Sequence, residues 1–316
     1  MKLRFPRPLA AGDRIGVTAP SSGVGSESRD RLGASLAFLE DRGFEIEVGN
    51  CMDGSSHVSA SAQDRADELM RMLLDPGIRA VVPPWGGETG IDVLPLLDYA
   101  ALAEAEPTWF VGYSDTSTLL TPITLLAGWA TVHGSNLMDT PDDVPAPLLS
   151  WLDVATAPTG STVRQGGGNW KRLDDGTGAV NVTGRLVGGC IETLSPVSGT
   201  RFGDTGRLRG SGSEDLIVYV EAAEERALAI CRYLHGMRLA GFFDGAAAVL
   251  VGRTSAPGEP TLTQADAVRD ALGTVGVPLI ADVEFGHVPP QLTIVNGALG
   301  RVRFDGGTQY LEQTLA

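Results

Sequence analysis

The 316-residue sequence is poor in cysteine and histidine. Its three cysteines, Cys51, Cys190 and Cys231, are far apart, odd in number and form no Cys-X-X-Cys pair. This pattern argues against a disulfide framework and against a cysteine-based metal site, and it fits a reducing compartment. We therefore expect neither structural disulfides nor a bound metal.

Long apolar runs and an excess of positive charge are also missing. No stretch approaches the roughly 18 apolar residues that a membrane-spanning helix needs. The 24 Lys and Arg residues against 39 Asp and Glu give a formal net charge of −15. Such an acidic surface repels a phosphate backbone and, at its simplest, keeps a protein soluble. We expect a cytoplasmic protein that binds neither a membrane nor a nucleic acid polymer.

The first half of the chain alternates β-rich and helical segments. The predicted strands are 13–18, 44–48, 78–82 and 108–113, and the predicted helices are 31–42, 62–74 and 116–127. Strands that alternate with helices indicate a parallel sheet covered on both faces. Prolines from Pro141 to Pro158 and the run Gly166-Gly167-Gly168 interrupt this pattern. We therefore assign residues 1–160 to an α/β domain with a parallel sheet.

The second half has a different pattern. Short β-rich runs occur at 180–182, 184–189, 216–220 and 247–251, and helical periodicity appears at 224–239 and 264–272. This indicates a smaller, mixed α+β domain over residues 161–316. An active site between the two domains is then the expectation, because ligand sites favour such boundaries.

Ser114 is the candidate nucleophile because of its position. The β-rich run 109–111 meets the turn Gly112-Tyr113-Ser114-Asp115, and a helical pattern follows at once. A strand–turn–helix of this kind lifts a serine hydroxyl out at the carboxyl end of a parallel strand, next to the N–H groups of the helix. The alternative is that Ser114 or Asp115 only caps the helix.

A second turn, Trp85-Gly86-Gly87-Glu88, follows another predicted parallel strand. Paired glycines allow the backbone to approach a ligand closely and to offer an N–H group to a developing oxyanion. The alternative is an ordinary turn between a strand and a helix.

A serine nucleophile needs a base, and the sequence offers four histidines. His287 is favoured, because Gly286 before it and Pro289 and Pro290 after it suit a rigidly held side chain. His133 could also line the site, whereas His235 lies within a helical pattern and His57 in a polar loop. The best orienting acid is Glu221, which ends the β-rich run 216–220.

Together these segments resemble the LD-carboxypeptidase family of serine peptidases, which includes the microcin C immunity (MccF-like) peptidases. The similarity covers nearly the whole chain, in the order 17–22, 75–80, 86–99, 112–115, 184–189, Glu221 and 286–287. It implies a class I amidotransferase-like α/β domain, followed by a smaller C-terminal domain that carries the acid and the histidine.

The resemblance also assigns roles. It makes Ser114 the nucleophile, His287 the base and Glu221 the orienting acid. The backbone N–H groups of Asp115 and of the Gly86-Gly87 turn would form the oxyanion hole. It further implies an acyl-enzyme mechanism without metal or cofactor, and a homodimer.

Two features favour the MccF-like branch. Murein LD-carboxypeptidases usually have an arginine before the paired glycines, where this chain has Trp85. The sequence Gly86-Gly87-Glu88 is closer to the corresponding turn of the immunity peptidases. In that branch a loop tryptophan stacks on a nucleobase, and Trp170 could match it; alternatively, Trp170 covers the boundary between the domains. We therefore expect Trp85, Glu88 and Trp170 to bind a small-molecule or peptide substrate.

The preferred activity is cleavage of an aminoacyl-nucleotide, with removal of the terminal D-alanine from a murein tetrapeptide as the alternative. An alternative from another class is a non-catalytic, two-lobed protein that binds a small molecule. A cysteine-dependent amidotransferase-like hydrolase is disfavoured, because serine occupies the turn.

Overall fold

A computed structural model describes residues 2–141, 143–209 and 214–316 of the chain. These residues form two β-sheets with helices packed around them, which confirms the expected two-domain α/β architecture. The strands are β1 (Arg14–Val17), β2 (Glu45–Val48), β3 (Ile78–Val81), β4 (Trp109–Gly112), β5 (Thr131–His133), β6 (Thr162–Gln165), β7 (Lys171–Arg172), β8 (Val180–Cys190), β9 (Leu216–Glu221), β10 (Ala246–Gly252), β11 (Leu279–Val283), β12 (Ile294–Asn296), β13 (Leu299–Phe304) and β14 (Gln309–Thr314).

Nine α-helices are found in the described ranges, some of them only one turn long. They are α1 (Arg29–Glu40), α2 (Ala62–Leu74), α3 (Tyr99–Glu104), α4 (Ser117–Ala127), α5 (Trp151–Thr156), α6 (Ile191–Leu194), α7 (Gly206–Arg209), α8 (Ala227–Leu239) and α9 (Gln264–Leu272). Short 3₁₀ turns extend several of them, notably Ser114–Thr116 before α4.

The first sheet has six strands in the order β12-β5-β4-β3-β1-β2. Five of these strands run parallel to one another, namely β5, β4, β3, β1 and β2. The sixth strand, β12, pairs antiparallel with β5 at the edge of the sheet. The carboxyl ends of β1, β3, β4 and β5 therefore lie along one edge. Ligand sites in open parallel sheets form at that edge.

The second sheet has eight strands in the order β6-β14-β13-β8-β9-β10-β11-β7. Its centre, β8 to β11, is parallel, and antiparallel strands flank it on both sides. The two β-rich runs expected at 180–182 and 184–189 are one continuous strand, β8, which continues through Thr183 between them.

The two sheets are joined by packing as well as by the chain. β12 belongs to the second half of the sequence but completes the first sheet, so a division at residue 160 leaves one strand of the first sheet in the second segment. Helix α4 contacts β8, where the Thr121 hydroxyl donates to the carbonyl of Gly188 at 2.8 Å. Buried apolar side chains from both halves share the same clusters.

Several elements form for reasons that are local. Helix α2 lies where the sequence predicts it. The hydroxyl of Ser61 accepts from the backbone N–H of Asp64 at the start, and Leu69 and Leu73 are buried on one face. An N-cap hydrogen bond of this kind and an apolar face at helical spacing are the usual determinants of a helix.

Helix α8 begins later than the expected position 224. The Glu192 carboxylate accepts the backbone N–H groups of Ala223, Glu224 and Glu225 at 2.9 to 3.2 Å, and this holds them in a turn ahead of the helix. Glu224 and Glu225 therefore lie in a turn before α8, and the expected helical start at residue 224 is wrong.

Two leucines on α8 provide a matched test of the packing. Leu234 is fully buried, whereas Leu239 is 78% exposed. Leu234→Ala should lower the free energy of unfolding by about 2–5 kcal/mol, because it leaves a cavity in the core. Leu239→Ala should change it by less than about 0.5 kcal/mol. Urea unfolding followed by circular dichroism compares the two, and equal effects would contradict the described packing.

Candidate active site

The turn after β4 places Ser114 in a strained conformation. Tyr113 is extended, and Ser114 has φ of 59°, in the left-handed region that residues other than glycine rarely adopt. The chain then enters the 3₁₀ turn and α4, and neither helix receives a side-chain cap hydrogen bond at its start. Such strain is characteristic of functional turns. Ser114 therefore does not cap the helix, and its backbone has the strained strand–turn–helix conformation that a nucleophile elbow requires.

The Gly86-Gly87 turn lies against this elbow. A Cβ on Gly86 would be 2.9 Å from the Cβ of Ser114 and 3.1 Å from the backbone N of Asp115. Gly87 has φ of +145°, and a Cβ there would be 2.3 Å from the Oγ of Ser21. Both positions therefore need glycine. The predicted oxyanion-hole residues Gly86 and Asp115 are brought together around Ser114.

The side chain of Asp115 braces the two turns. Its Oδ2 accepts from the hydroxyl of Ser21 at 2.6 Å and from the backbone N–H of Gly90 at 2.7 Å. Its Oδ1 accepts from the hydroxyl of Thr118 at 3.2 Å. Asp115 is 2% exposed, so these bonds replace its hydration. The buried carboxylate fixes the elbow relative to the loops that follow β1 and β3.

His287 and Glu221 form a hydrogen-bonded pair at the end of the second sheet, in which the glutamate is buried and the histidine is partly exposed. The Nδ1 of His287 lies 2.7 Å from the Oε2 of Glu221, which ends β9 and is fully buried. Gly286 has φ of +92°, and a Cβ on it would be 2.6 Å from Oε2, so glycine allows the loop to approach. The ring of Tyr113 lies 4.8 Å from that of His287 and links the pair to the elbow.

Each member of this pair shifts the pKa of the other. Burial alone would raise the pKa of Glu221, but the neighbouring imidazoles of His133 and His287 outweigh it and lower the pKa to about 2. Burial tends to lower the pKa of His287. The hydrogen bond to Glu221 and the charges of Glu221, Glu192 and Asp139 outweigh this and raise it above the ordinary 6.5. Glu221 is thus an anion at neutral pH.

The carboxyl edges of the two sheets enclose a cavity of about 430 Å³. Ser114 and His287 both line it, as do the sequence-predicted Trp85, Gly86, Gly87 and Glu88. The remaining lining residues are Ser22, Tyr113, Asn136, Asp139, Ala223 and Glu224.

The cavity is acidic. Glu88, Asp139 and Glu224 line it, and within the described ranges no lysine or arginine does. Partial burial raises the pKa of Glu88, and the negative charges of Asp115 and Glu224 raise it further. A ligand that carries a positive charge would relieve this repulsion.

Trp170 does not line the cavity, so the structure does not support base stacking at this residue. Its side chain is 5% exposed, and its indole N–H donates to the carboxylate of Glu284. Trp170 is part of the buried cluster between the sheets, which agrees with the covering role weighed as the alternative. Tryptophan at this loop position is determined by packing in this chain.

Sequence reasoning missed several residues of the site. The amide Oδ1 of Asn136 lies 3.3 Å from the backbone N–H of Tyr113, and Asp139 accepts from the Tyr113 hydroxyl at 3.1 Å. Both residues follow β5, next to the elbow strand. Because the carboxyl ends of adjacent parallel strands share an edge, the order of the strands would have pointed to them, had it been known.

A further group of potential metal ligands lies elsewhere. Cys231 and His235, one turn apart on α8, approach Asp270 of α9, with ligand atoms within 4.8 Å of one another. His235 Nε2 is 2.9 Å from the Asp270 carboxylate, and the guanidinium of Arg238 faces His235 Nδ1 at 3.3 Å. These contacts satisfy both ring nitrogens, because Nδ1 accepts from Arg238 and Nε2 donates to Asp270. None of these residues lines the cavity.

Comparison with known proteins identifies the family. The description "LD-carboxypeptidase N-terminal domain" matches residues 15–134, and "LD-carboxypeptidase C-terminal domain" matches residues 183–302. The chain therefore belongs to the LD-carboxypeptidase family of serine peptidases. It is an enzyme of the hydrolase class, which rules out the non-catalytic binding protein considered from the sequence.

Two relatives span almost the whole chain. A Streptomyces coelicolor relative with "carboxypeptidase" in its name is 30% identical, over 98% of this chain and 96% of its own. The microcin C7 self-immunity protein MccF of Escherichia coli is 25% identical, over 94% of this chain and 92% of its own.

Solved structures show the same fold. Wild-type MccF superposes with a TM-score of 0.82 at 21% identity, covering 98% of each chain. A muramoyltetrapeptide carboxypeptidase from Oxalobacter formigenes superposes with a TM-score of 0.74 at 20% identity, covering 95% of this chain and 98% of its own.

In the part of the chain that the structure describes, no helix has both the length and the apolar character to cross a membrane.

The pair of Glu221 and His287 can be tested by titration. Glu221→Gln removes the negative charge that raises the pKa of His287, so that pKa should fall by about one unit or more. The measurement is an NMR titration of the ring protons, with the His287 signal identified from its loss in His287→Gln. Glu88→Gln, at the rim of the same cavity, serves as the control. An unchanged pKa in Glu221→Gln would show that the two side chains do not interact as described.

Proposed function

We propose that the chain hydrolyses an amide-type bond through a Ser114–His287–Glu221 triad. The observation that carries this proposal is the shared cavity, where a strained serine and a carboxylate-bound histidine meet beside the Gly86-Gly87 turn. A triad is recognised by the roles and geometry of its members, so the chain order Ser, Glu, His is acceptable.

The first half of the reaction acylates the serine. The Oγ of Ser114 attacks the substrate carbonyl carbon, and its proton passes to the Nε2 of His287. Glu221, hydrogen-bonded at Nδ1, stabilises the imidazolium that forms. The backbone N–H groups of Asp115 and of the Gly86-Gly87 turn stabilise the oxyanion. The C–N bond then breaks, and the leaving nitrogen takes the proton from His287.

The second half releases the acyl group. His287 accepts a proton from water as the water oxygen attacks the acyl-enzyme carbonyl. The bond between the carbonyl carbon and the Oγ of Ser114 breaks, and the proton returns from His287 to Ser114. The products are a carboxylic acid and an amine, and the enzyme is restored without a metal or cofactor.

For the substrate we propose an aminoacyl-nucleotide of the microcin C type. MccF, which shares the fold, has been solved with aspartyl sulfamoyl adenosine and with glutamyl sulfamoyl guanosine. The charge of the cavity supports an aminoacyl group, because a free α-ammonium would be attracted by Glu88 and Glu224. Trp85 lines the cavity and Trp170 does not, so Trp85 is the tryptophan that would stack on a nucleobase. Its indole N–H is anchored to the carbonyls of Ser22 and Gly23 at 3.1 Å.

Removal of a terminal D-alanine from a murein tetrapeptide is the second candidate, which family membership favours. Its substrate ends in a carboxylate. In the described lining of the cavity that carboxylate would face Glu88 and Glu224 and no arginine or lysine, while Asp139 is paired with Arg31 at 2.6 Å. The charge of the site therefore ranks this activity below the first. We also propose a homodimer, on the resemblance alone, and a cytoplasmic location, on the cysteine content and the lack of long apolar runs in the sequence.

Ser114→Ala tests the triad. The variant should lose turnover of an aminoacyl-sulfamoyl adenosine by at least about 10⁴-fold, and it should lose labelling by a fluorophosphonate probe. Ser22→Ala is the matched control, because its hydroxyl lines the same cavity but lies outside the elbow. Mass spectrometry locates the label. Full activity of Ser114→Ala in a folded protein would refute the assignment.

The charge of the cavity gives a separate prediction about the substrate. Glu88→Gln combined with Glu224→Gln should raise kcat/KM for a murein tetrapeptide about 5-fold, because two partly screened repulsions of about 0.5 kcal/mol each are removed. The control is Glu40→Gln combined with Glu104→Gln, which changes the net charge equally at exposed helix positions. Steady-state assays of both substrate classes measure the change, and equal effects of the two pairs would contradict it.

A further inference from the structure

His133 lies behind the site rather than in it. It ends β5, in register with Gly112 of the elbow strand on one side and with Ile294 of β12 on the other. Its side chain is 2% exposed, and it is not among the residues that line the cavity. The expectation that His133 could line the site is therefore wrong, and its burial needs another explanation.

The imidazole of His133 faces the second oxygen of Glu221. Its Nε2 lies 3.9 Å from Oε1, while Oε2 is bound to His287. In the described part of the chain, Oε1 and both ring nitrogens of His133 have no hydrogen-bond partner. Buried polar groups in native proteins nearly always have one. A movement of about 1 Å would bring Nε2 and Oε1 to hydrogen-bond distance.

The surroundings leave Glu221 as the natural acceptor. The rings of Tyr219, Phe285 and Tyr113 meet His133 edge-on, at centroid distances of 5.3, 6.1 and 6.4 Å. The hydroxyl of Tyr219 donates to Asn296, and that of Tyr113 donates to Asp139. The titratable groups that face His133 are these two tyrosines and Glu221, with His287 on the far side of the Glu221 carboxylate.

We propose that His133 is a positioning residue of the reaction. In the neutral form, with its proton on Nε2, it donates to Oε1 of Glu221 and keeps Oε2 directed at Nδ1 of His287. A glutamate has one more rotatable bond than an aspartate, so one hydrogen bond leaves its carboxylate free to rotate. A second hydrogen bond removes that freedom. The inference rests on the proposed function, because it concerns how the triad is held.

Two substitutions separate positioning from packing. His133→Leu fills the space but removes the donor, and His133→Gln keeps an N–H group that can reach Oε1. The readout is the rate of fluorophosphonate labelling of Ser114 as a function of pH. His133→Leu should react about 10-fold to 100-fold more slowly. The acid limb of its pH profile should move to lower pH, because a carboxylate that rotates away no longer raises the pKa of His287.

His133→Gln should be labelled at least about 5-fold faster than His133→Leu. The acid limb of its pH profile should lie closer to that of the natural chain. A His133→Leu variant with the natural rate and limb would overturn the inference. So would equal losses in the two variants, since these would indicate packing alone. If Ser114 of the natural chain is not labelled, the proposed function itself fails, and this inference with it.

A measurement on the natural chain covers the case in which His133→Leu does not fold. NMR of the uniformly ¹⁵N-labelled protein should show a hydrogen-bonded ring proton on Nε2 of His133, separate from the Nδ1 proton of His287. This signal should be absent from His133→Gln. If Nε2 of His133 carries no proton in the natural chain, the proposal is refuted.

Discussion

The buried carboxylate of Glu221 is the constraint on which the rest of the site depends. Desolvating a carboxylate costs several kcal/mol unless hydrogen bonds and charges compensate for it. Here the compensation comes from His287, which is thereby held in place, and from the imidazole of His133 nearby. The need to satisfy one buried charge therefore holds the loop that carries His287 against the end of β9.

A second buried carboxylate, that of Asp115, does the same for Ser114, the proposed nucleophile. Ser114 occupies a backbone region that costs about 1–3 kcal/mol and persists only where the surroundings enforce it. The hydrogen bonds from Ser21 and Gly90 to Asp115 supply that enforcement. They also bring the Gly86-Gly87 turn against Ser114. The strain at Ser114 and the close approach of the Gly86-Gly87 turn are thus two results of one local network.

Charge distinguishes this cavity from one built to hold a terminal carboxylate. A site for such a group normally offers arginine or lysine, which bind carboxylates through charge-assisted hydrogen bonds. The described lining has acidic side chains instead, and Glu224 joins it only because Glu192 holds residues 223–225 out of the helix. The charge of the cavity therefore depends on a turn that periodicity alone did not reveal.

The sequence by itself determined most of the elements and led to the residues of the proposed triad. Helix α2 and helix α9 have the predicted bounds, because caps and apolar spacing are local. Ser114, Glu221 and His287 were predicted from strand ends, turns and family resemblance. The tertiary structure decided what depends on neighbours distant in sequence: the burial of Trp170, the place of His133 behind Glu221, and the return of β12 to the first sheet. The burial of a side chain and the pairing of a strand depend on which strands become neighbours in the fold. The local sequence pattern contains no information about that order.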